Sequence, residues 1–266
     1  MERVNRIVIK IGTATLYENG RLSSRMDQIV ELIAELHRRG FQILIVSSGA
    51  VGAGYGQCRL DKSLLVNKQA LAAIGQPLLM KEYRERFEKF GIVVAQVLLT
   101  AEDFDSRKRT RNARQMVEVL LTNRCIPIIN ENDSVAVDEM IIGDNDQLSG
   151  YVTYYFGGDL LVILSDIDAF YTANPKEDSS ARPIMVVNGI KPEWLEGEHN
   201  PNDRFATGGI VTKLKAAKFL MERGIPMYLT TGFNLDNLRS FLLDRVQKGG
   251  TLFVPIERWN RNKKGE

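Results

Sequence analysis

The stretch RIVIKIG, residues 6–12, is apolar and rich in β-branched side chains apart from Arg6 and Lys10, which is typical of a buried strand. Residues 23–40 follow, with apolar side chains at helical spacing, serines at the start and a glycine at the end. A second strand-like run, FQILIVSSG, occupies residues 41–49. A strand, a helix and a second strand in this order predict a βαβ unit with parallel strands.

The same alternation continues along the chain. Further strands are predicted at 92–99, 126–131, 159–166, 225–232 and 251–255, and further helices at 64–90, 106–123, 145–156, 212–224 and 235–246. Gly75 and Pro77 are candidate break points in the longest helix. Residues 137–143 suggest a small hairpin arm, and residues 169–207 a loop-rich insertion. We therefore predict an α/β protein, a three-layer α/β/α sandwich with a mostly parallel central sheet.

Composition limits the classes of partner. The chain has 266 residues, of which 35 are basic and 33 acidic, so its net charge gives no strong field for nucleic acid or a membrane surface. Cys58 and Cys125 have no neighbouring Cys or His at metal-ligand spacing, which argues against a zinc site and favours a reducing compartment. No signal-peptide pattern and no run of about 18 apolar residues is present. We expect a cytoplasmic protein that binds neither nucleic acid nor membranes.

Small, polar or acidic residues follow five of the predicted strands, in KIGTA, SSGAVGAG, NENDS, LSDID and LTTG. In parallel sheets, ligands bind at the carboxyl ends of the strands. These five segments therefore predict one ligand site at that end of the sheet.

Lys10 lies within an apolar strand, where a lysine is costly to bury unless it meets an anion. The alternative is an edge strand with Lys10 facing solvent. The following Gly12-Thr13 turn favours an anionic ligand, because glycine lets backbone amides approach a phosphate closely.

TGGIVTK, residues 207–213, combines glycines, hydroxyls and Lys213 in a different order from a P-loop. The sequence leaves two interpretations of this segment: a phosphate-binding loop, or a plain glycine-rich loop with a surface lysine.

The glycines of SSGAVGAGYG, residues 47–56, fit only part of a dinucleotide fingerprint, because Gln57 occupies the third glycine position. The order strand, serines, glycine and helix still predicts an anion site, for a carboxylate or a phosphate.

The stretch GDNDQLSG, residues 143–150, does not fit a calcium-binding loop. Such a loop needs an oxygen ligand at its fifth position and glycine at its sixth, where this chain has Leu148 and Ser149. A helix cap explains one of the three central polar residues and leaves the neighbouring acid unexplained.

The run SRKRTRNAR, residues 106–114, has five basic residues, which could contact nucleic acid. It has no interleaved aromatic residue, and we favour a solvated helix face or a subunit contact. His37 and His199 have no local triad or metal partner, and we interpret both as structural or exposed.

Together, the motifs KIGTATL, VSSGAVGAG, KQALAAIGQ, PIINENDSVAVDE, GDNDQLS, LLVILSDIDAFYTANP and ATGGIVTKLKAA resemble the amino acid kinase family. The match runs from residue 4 to about residue 254, and NEND with GDND resembles the glutamate-phosphorylating branch. The resemblance implies one kinase domain over residues 1–256, with a glutamate-binding lobe up to about residue 165 and an ATP-binding lobe after it. Many relatives carry a further C-terminal PUA domain; we expect none here, and a tail at residues 257–266.

The resemblance implies transfer of the γ-phosphoryl group of ATP to the side-chain carboxylate of L-glutamate, the first step of proline biosynthesis, with Mg²⁺ bridging phosphate oxygens. Lys10 and Lys213 would supply positive charge, and Asp146 would orient them. The amino acid would be held by Ser48, Gly49, Asp133, Asp144 and Asn145. ATP would be held by Lys10, Gly12, Thr13, Ser165, Asp166, Thr207, Gly208, Gly209, Ile210, Val211, Thr212 and Lys213. No residue is assigned as a direct metal ligand.

We also expect a homo-oligomer and inhibition by proline. The nearest alternatives are family kinases that act on N-acetylglutamate, aspartate, carbamate or a nucleoside monophosphate; the acids at 133 and 144 favour a substrate with a free ammonium group. A non-catalytic amino acid sensor or an RNA-binding protein on this fold is a different class. Lys10, Asp146 and Lys213 argue against the sensor, and the near-neutral charge against RNA. The incomplete fingerprint argues against a nucleotide-dependent oxidoreductase.

Overall fold

An eight-stranded sheet forms the centre of the molecule, in a computed structural model that describes residues 4–18, 21–135, 145–175, 177–196 and 209–255. In chain order the strands are β1 (Arg6–Ile11), β2 (Tyr17–Glu18), β3 (Arg21–Leu22), β4 (Gln42–Ser47), β5 (Val94–Leu99), β6 (Ile126–Glu131), β7 (Leu160–Ser165), β8 (Val186–Val187), β9 (Met227–Thr231) and β10 (Thr251–Phe253). The sheet has the strand order β5-β6-β4-β1-β7-β9-β10-β8, while β2 and β3 pair separately. Its neighbours run parallel except β9 and β10, which confirms the predicted mostly parallel sheet.

The helices follow the predicted alternation. They are α1 (Thr13–Leu16), α2 (Arg25–Arg38), α3 (Ala50–Gln57), α4 (Leu65–Glu88), α5 (Ala101–Asp105), α6 (Arg107–Thr122), α7 (Asn145–Tyr155), α8 (Gly209–Met221) and α9 (Asp236–Arg239). A 3₁₀ turn covers Pro192–Trp194, and a π-helical turn covers Ser240–Asp244.

Two apolar layers cover the two faces of the sheet, which confirms the three-layer α/β/α prediction. Ile9 of β1 packs on one side with Leu79 of α4 and other side chains of α2 and α4. Val8 faces the other way and packs with Val152 of α7 and Leu214 of α8. Because the central strands are buried on both faces, their sequences are continuously apolar rather than alternating.

The longest helix is not broken at Gly75 or Pro77, so neither candidate break point is a break. Helix α4 runs without interruption from Leu65 to Glu88, although Pro77 has no N–H for the helical ladder. Close packing on α3 compensates: a Cβ atom at Gly75 would lie 1.8 Å from the Ala50 carbonyl oxygen. The glycine therefore serves contact between two helices rather than flexibility.

Other predicted segments differ in detail. The hairpin arm at 137–143 lies outside the described residues. Part of the loop-rich insertion does form β8, which pairs with β10 at the edge of the sheet. The last predicted helix is regular only in α9 and then continues as the π-helical turn, which ends at Arg245 with a φ of 60°. Within the described ranges, no helix is long and apolar enough to span a membrane.

Candidate active site

Lys10 lies near the carboxyl end of β1, which pairs with β4 on one side and β7 on the other. The edge-strand alternative is therefore wrong, because this strand is in the middle of the sheet. The Lys10 side chain is only 3 % exposed, and its Nζ atom lies 2.7 Å from Oδ1 of Asp146. The lysine thus has the anionic partner that its burial requires.

Asp146 lies in the first turn of α7 and contacts both predicted catalytic lysines. Its side chain is fully buried, and Oδ2 lies 3.0 Å from Nζ of Lys213. Burial alone would raise the pKa of Asp146, but the Lys10 and Lys213 ammonium groups outweigh it and lower the pKa below its ordinary value. The carboxylate is therefore ionised at neutral pH and holds two cations side by side.

Lys213 is positioned by the first turn of α8. Its Nζ atom also donates to the Gly209 carbonyl oxygen at 2.8 Å, and the side chain is buried. The Thr212 hydroxyl donates to Oδ2 of Asp146 at 2.9 Å. The surface-lysine interpretation of this segment is therefore wrong for Lys213, which is fixed by one contact to the Asp146 carboxylate and one to the Gly209 carbonyl oxygen.

Ser48 and Gly49 form the turn between β4 and α3. Gly49 has a left-handed φ of 106°, and a Cβ atom there would lie 2.7 Å from the Tyr17 ring. Both the conformation and the space require glycine at this position. The turn directs the start of α3 towards the carboxyl end of the sheet, where free backbone N–H groups favour an anion.

Asn145 lies beside Asp146 and connects three elements. Its Nδ2 atom donates to the Ser47 carbonyl oxygen at 2.6 Å, to Oγ of Ser48 at 3.1 Å and to Oδ1 of Asn130 at 2.8 Å. The sequence prediction placed Asn145 and Ser48 in one substrate site, and the structure brings them together. Asn130 was not predicted as a site residue; a buried amide at the end of an apolar strand was the available signal.

Asp133 follows β6 and is half-buried. Burial raises the pKa of its carboxyl group. Such a carboxylate is suited to a cationic ligand group, because a cation would offset the desolvation of the charge. Asp144, the other acid predicted to bind the substrate ammonium, lies outside the described residues.

The predicted ATP residues occupy three strand and helix ends. Gly12 and Thr13 form the β1–α1 turn, where Gly12 donates its N–H to the Leu164 carbonyl oxygen at 3.2 Å. Ser165 ends β7 and donates to Oδ1 of the exposed Asp166 at 2.9 Å. Gly209, Ile210, Val211 and Thr212 form the first turn of α8 with Lys213. Thr207 and Gly208 lie outside the described residues.

Other predicted features lie elsewhere. The five basic residues of the 106–114 run are exposed on α6, which agrees with a solvated helix face. His37 is a buried structural residue, hydrogen-bonded to the Arg124 backbone, and His199 is outside the described residues. In the part of the chain that the structure describes, no group of three or more His, Cys, Asp or Glu side chains could hold a metal ion.

The parallel sheet and the buried lysine–aspartate–lysine cluster at its carboxyl end agree with the comparison to known families. The sequence profile described as "Amino acid kinase family" matches residues 5–231. The chain belongs to the amino acid kinase family.

Known relatives narrow this assignment. The chain is 53% identical to the glutamate 5-kinase of Wolinella succinogenes, over 94% of this chain and 98% of the relative. It is 50% identical to the glutamate 5-kinase of Leishmania donovani, over 95% and 96% of the two chains. This similarity over nearly the whole length places the chain in the glutamate 5-kinase branch of the family.

Solved structures support the fold alone. The chain resembles a carbamate kinase from Giardia lamblia bound to AMP-PNP, with a TM-score of 0.65, 15% identity and coverage of 96% and 100% of the two chains. It also resembles the UMP kinase from Bacillus anthracis, with a TM-score of 0.62, 15% identity and coverage of 95% and 97%.

Proposed function

We propose that this protein is a glutamate 5-kinase, which transfers the γ-phosphoryl group of ATP to the side-chain carboxylate of L-glutamate. The observation that carries the proposal is the cluster in which Asp146 holds Lys10 and Lys213 within 3.0 Å of its two oxygens. The ammonium groups of two lysines that are far apart in the sequence therefore lie side by side at one carboxylate. Phosphoryl transfer depends on such positioning and positive charge, because negative charge on the transferred group must be stabilised.

The acceptor needs no general base in this reaction. The side-chain carboxylate of glutamate is already ionised near neutral pH and can attack the γ-phosphorus directly, while the ADP oxygen leaves. We assign Lys10 and Lys213 to the stabilisation of the transferring phosphoryl group and Asp146 to their orientation. Ser48, Gly49, Asp133, Asp144 and Asn145 remain the proposed residues for the amino acid.

ATP is proposed to bind at the ends of β1 and β7 and at the first turn of α8. Gly12, Thr13, Ser165 and Asp166 lie at these two strand ends, and the residues from Gly209 to Thr212 form the helical turn before Lys213. We propose that Mg²⁺ would be held mainly by the phosphate oxygens of ATP, since this ion prefers oxygen ligands and is commonly bound through substrate phosphates. There it would neutralise part of the phosphate charge.

The direct test is incubation with ATP, Mg²⁺, L-glutamate and hydroxylamine. Glutamyl phosphate reacts with hydroxylamine, so we expect glutamyl hydroxamate with L-glutamate and none with N-acetylglutamate or aspartate. Hydroxamate from N-acetylglutamate instead would establish the neighbouring family activity. No hydroxamate from any of the three acids would exclude the proposed reaction.

Replacing Lys213 tests the role of the cluster. Lys213→Met keeps the apolar part of the side chain but removes the charge, and we expect kcat to fall by about a hundredfold or more. The exposed lysine Lys218 of the same helix provides the control, since Lys218→Met should keep kcat. Near-normal turnover of a folded Lys213→Met variant would remove Lys213 from the reaction.

Four further properties belong to this proposal. We propose a cytoplasmic location, a homo-oligomeric state and competition by proline at the glutamate site. We also propose a division near residue 165 into a glutamate-binding and an ATP-binding lobe. Light scattering, together with hydroxamate assays at increasing proline concentration, would test the oligomer and the inhibition.

A further inference from the structure

A chain of buried amide groups leads from the candidate glutamate site to the edge of the sheet. Asn145 Nδ2 donates to Asn130 Oδ1 at 2.8 Å, and Asn130 Nδ2 donates to Gln76 Oε1 at 2.9 Å. Gln76 Nε2 then donates to Gln96 Oε1 at 3.2 Å. Asn145, Asn130 and Gln76 are all buried, whereas Gln96 is exposed on the edge strand β5.

The backbone fixes the directions of the Asn145 and Asn130 amides, and Asn130 in turn sets that of Gln76. Asn145 must present its NH₂ group to the Ser47 carbonyl oxygen, because two acceptors cannot bond to each other. Asn130 must present its oxygen to the Glu131 backbone N–H, which donates to Oδ1 at 2.9 Å. With Asn130 fixed, Gln76 must accept from it and donate to Gln96.

This direction decides which atom of Asn145 is available to a ligand. The side-chain hydrogen bonds of Asn145 to the described residues use Nδ2, so the oxygen Oδ1 remains as a hydrogen-bond acceptor. An acceptor beside Asn130, at the end of the strand that Asp133 follows, suits a donor such as an ammonium group rather than a carboxylate.

Gln76 belongs to α4, which also contacts the other side of the candidate glutamate site. The neighbouring Gly75 packs on the first turn of α3, directly after Ser48 and Gly49. One turn of α4 therefore contacts both the β4–α3 turn and the end of β6. The motif KQALAAIGQ ends at this turn, and the proposed reaction itself gives it no role.

We propose that Gln76 is a positioning residue for the amino-acid substrate: its hydrogen bond holds the Asn130 side chain in place against Asn145, so that Oδ1 of Asn145 accepts a hydrogen bond from the substrate ammonium group. This inference rests on the proposed glutamate kinase function and adds a recognition element for a free amino group. In this proposal Gln76 acts through Asn130 and contacts neither substrate nor ATP, so its effect should be confined to glutamate binding.

The test compares Gln76→Met with wild type. Methionine has a similar length but makes neither amide bond, and the loss of one buried orienting bond corresponds to about a tenfold rise in the KM for glutamate. We expect an unchanged KM for ATP and a kcat within about twofold of wild type. The exposed Gln115 on α6 supplies the matched control, because Gln115→Met makes the same chemical change away from the site.

A second variant separates positioning from folding. In Gln76→Glu, the protonated side chain can accept from Asn130 and donate to Gln96. The ionised side chain loses the bond to Gln96, and the cost of burying its charge draws it towards water and away from Asn130. The KM for glutamate of this variant, divided by that of wild type, should therefore fall towards one as the pH is lowered. A purely structural role would lower thermal stability without this pH-dependent ratio.

The outcomes can be told apart. No hydroxamate from the wild-type protein would end the proposed function. Activity in wild type, with an unchanged KM for glutamate in Gln76→Met, would overturn only the positioning role. Equal rises in the KM values for glutamate and ATP would also overturn it, since they would indicate general distortion.

Discussion

Asp146 shows how a single residue can organise a site built from distant parts of the chain. Lys10 is on a strand and Lys213 on a helix, and each contacts a different oxygen of the same carboxylate. Three charged groups are removed from water here, which is costly unless their geometry is nearly ideal. The arrangement is therefore better explained by the need for fixed positive charge than by a gain in stability.

The half-buried Asp133 makes a prediction about pH. Burial raises its pKa, so the carboxylate becomes protonated at a higher pH than an exposed aspartate and then no longer attracts an ammonium group. In Asp133→Asn, the KM for glutamate should rise by about tenfold or more near neutral pH, because a charge-assisted hydrogen bond is lost. Steady-state kinetics at saturating ATP measure this change.

Repeating these kinetics at several pH values tests the direction in which the KM for glutamate changes with pH. In wild type, the KM for glutamate should increase as the pH falls through the raised pKa of Asp133, whereas the asparagine variant should show no such increase. Parallel pH profiles for the two proteins would assign the ammonium contact to another group.

Single residues were predictable where their chemistry conflicted with their surroundings. The lysine in an apolar strand indicated Lys10. The three successive polar residues at 144–146 left an acid unexplained, and the family resemblance assigned the role to Asp146. Asn130 and Gln76 have no such conflict in sequence, because an amide at a strand end or on a helix is ordinary. Only the approach of β6, α4 and α7 in three dimensions shows that their amides are connected.

Helices α3 and α4 act as one packed pair, and Gly75 sets their separation. In Gly75→Ala, the new Cβ atom would lie 1.8 Å from the Ala50 carbonyl oxygen and 2.4 Å from the Gly54 nitrogen, so the helices must move apart. We expect a loss of about 3 kcal/mol or more in the free energy of unfolding, as for severe overpacking. Denaturant unfolding would measure it, and the KM for glutamate should rise because Gly49 moves with α3.

Gly56 in the same helix pair is the control. A Cβ atom there would meet no neighbour within 4 Å, so Gly56→Ala should be neutral or slightly stabilising through its better helix propensity. Equal effects of the two alanines would show that the close contact does not limit stability.

The spacing of apolar residues and the local composition identified most strands and helices. The elements that they did not predict depend on tertiary contacts. Pro77 was a reasonable stop signal, yet packing on α3 keeps α4 continuous. The two-residue strand β8 is too short to have a detectable period; its pairing with β10 defines it. The π-helical turn after α9 likewise has no local sequence pattern.

The whole molecule has a contact that makes its stability depend on pH. At the end of α2, His37 donates from Nε2 to the Arg124 carbonyl oxygen at 3.0 Å, and the Arg124 side chain donates back to the His37 carbonyl oxygen at 3.0 Å. Burial, together with the Arg124 charge, lowers the pKa of His37. The unfolded chain therefore binds the proton more tightly, and stability should decrease as the pH falls below about 6.5.

His37→Gln tests this contact, because glutamine can donate to the same carbonyl oxygen but does not titrate. The thermal midpoint of wild type should fall more steeply between pH 7 and pH 5.5 than that of the variant. Identical slopes would show that protonation of His37 does not contribute to unfolding in this range.

The fold class followed from the strand–helix alternation, since parallel strands need crossover helices. The strand order could not be predicted from this alternation. Neighbours such as β1 and β7 lie about 150 residues apart in the sequence, and no local pattern shows that they pair. The location of the site at the carboxyl ends was predictable from the fold class alone.

The central place of β1 has a consequence for synthesis on the ribosome. This strand is made first, yet one of its two edges stays unpaired until β7 has been translated, because residues 160–164 form that ladder. At typical elongation rates this interval lasts on the order of 10–30 s. Nascent chains will therefore expose an apolar edge that chaperones can bind, and the reaction centre can form only after Lys213 has emerged.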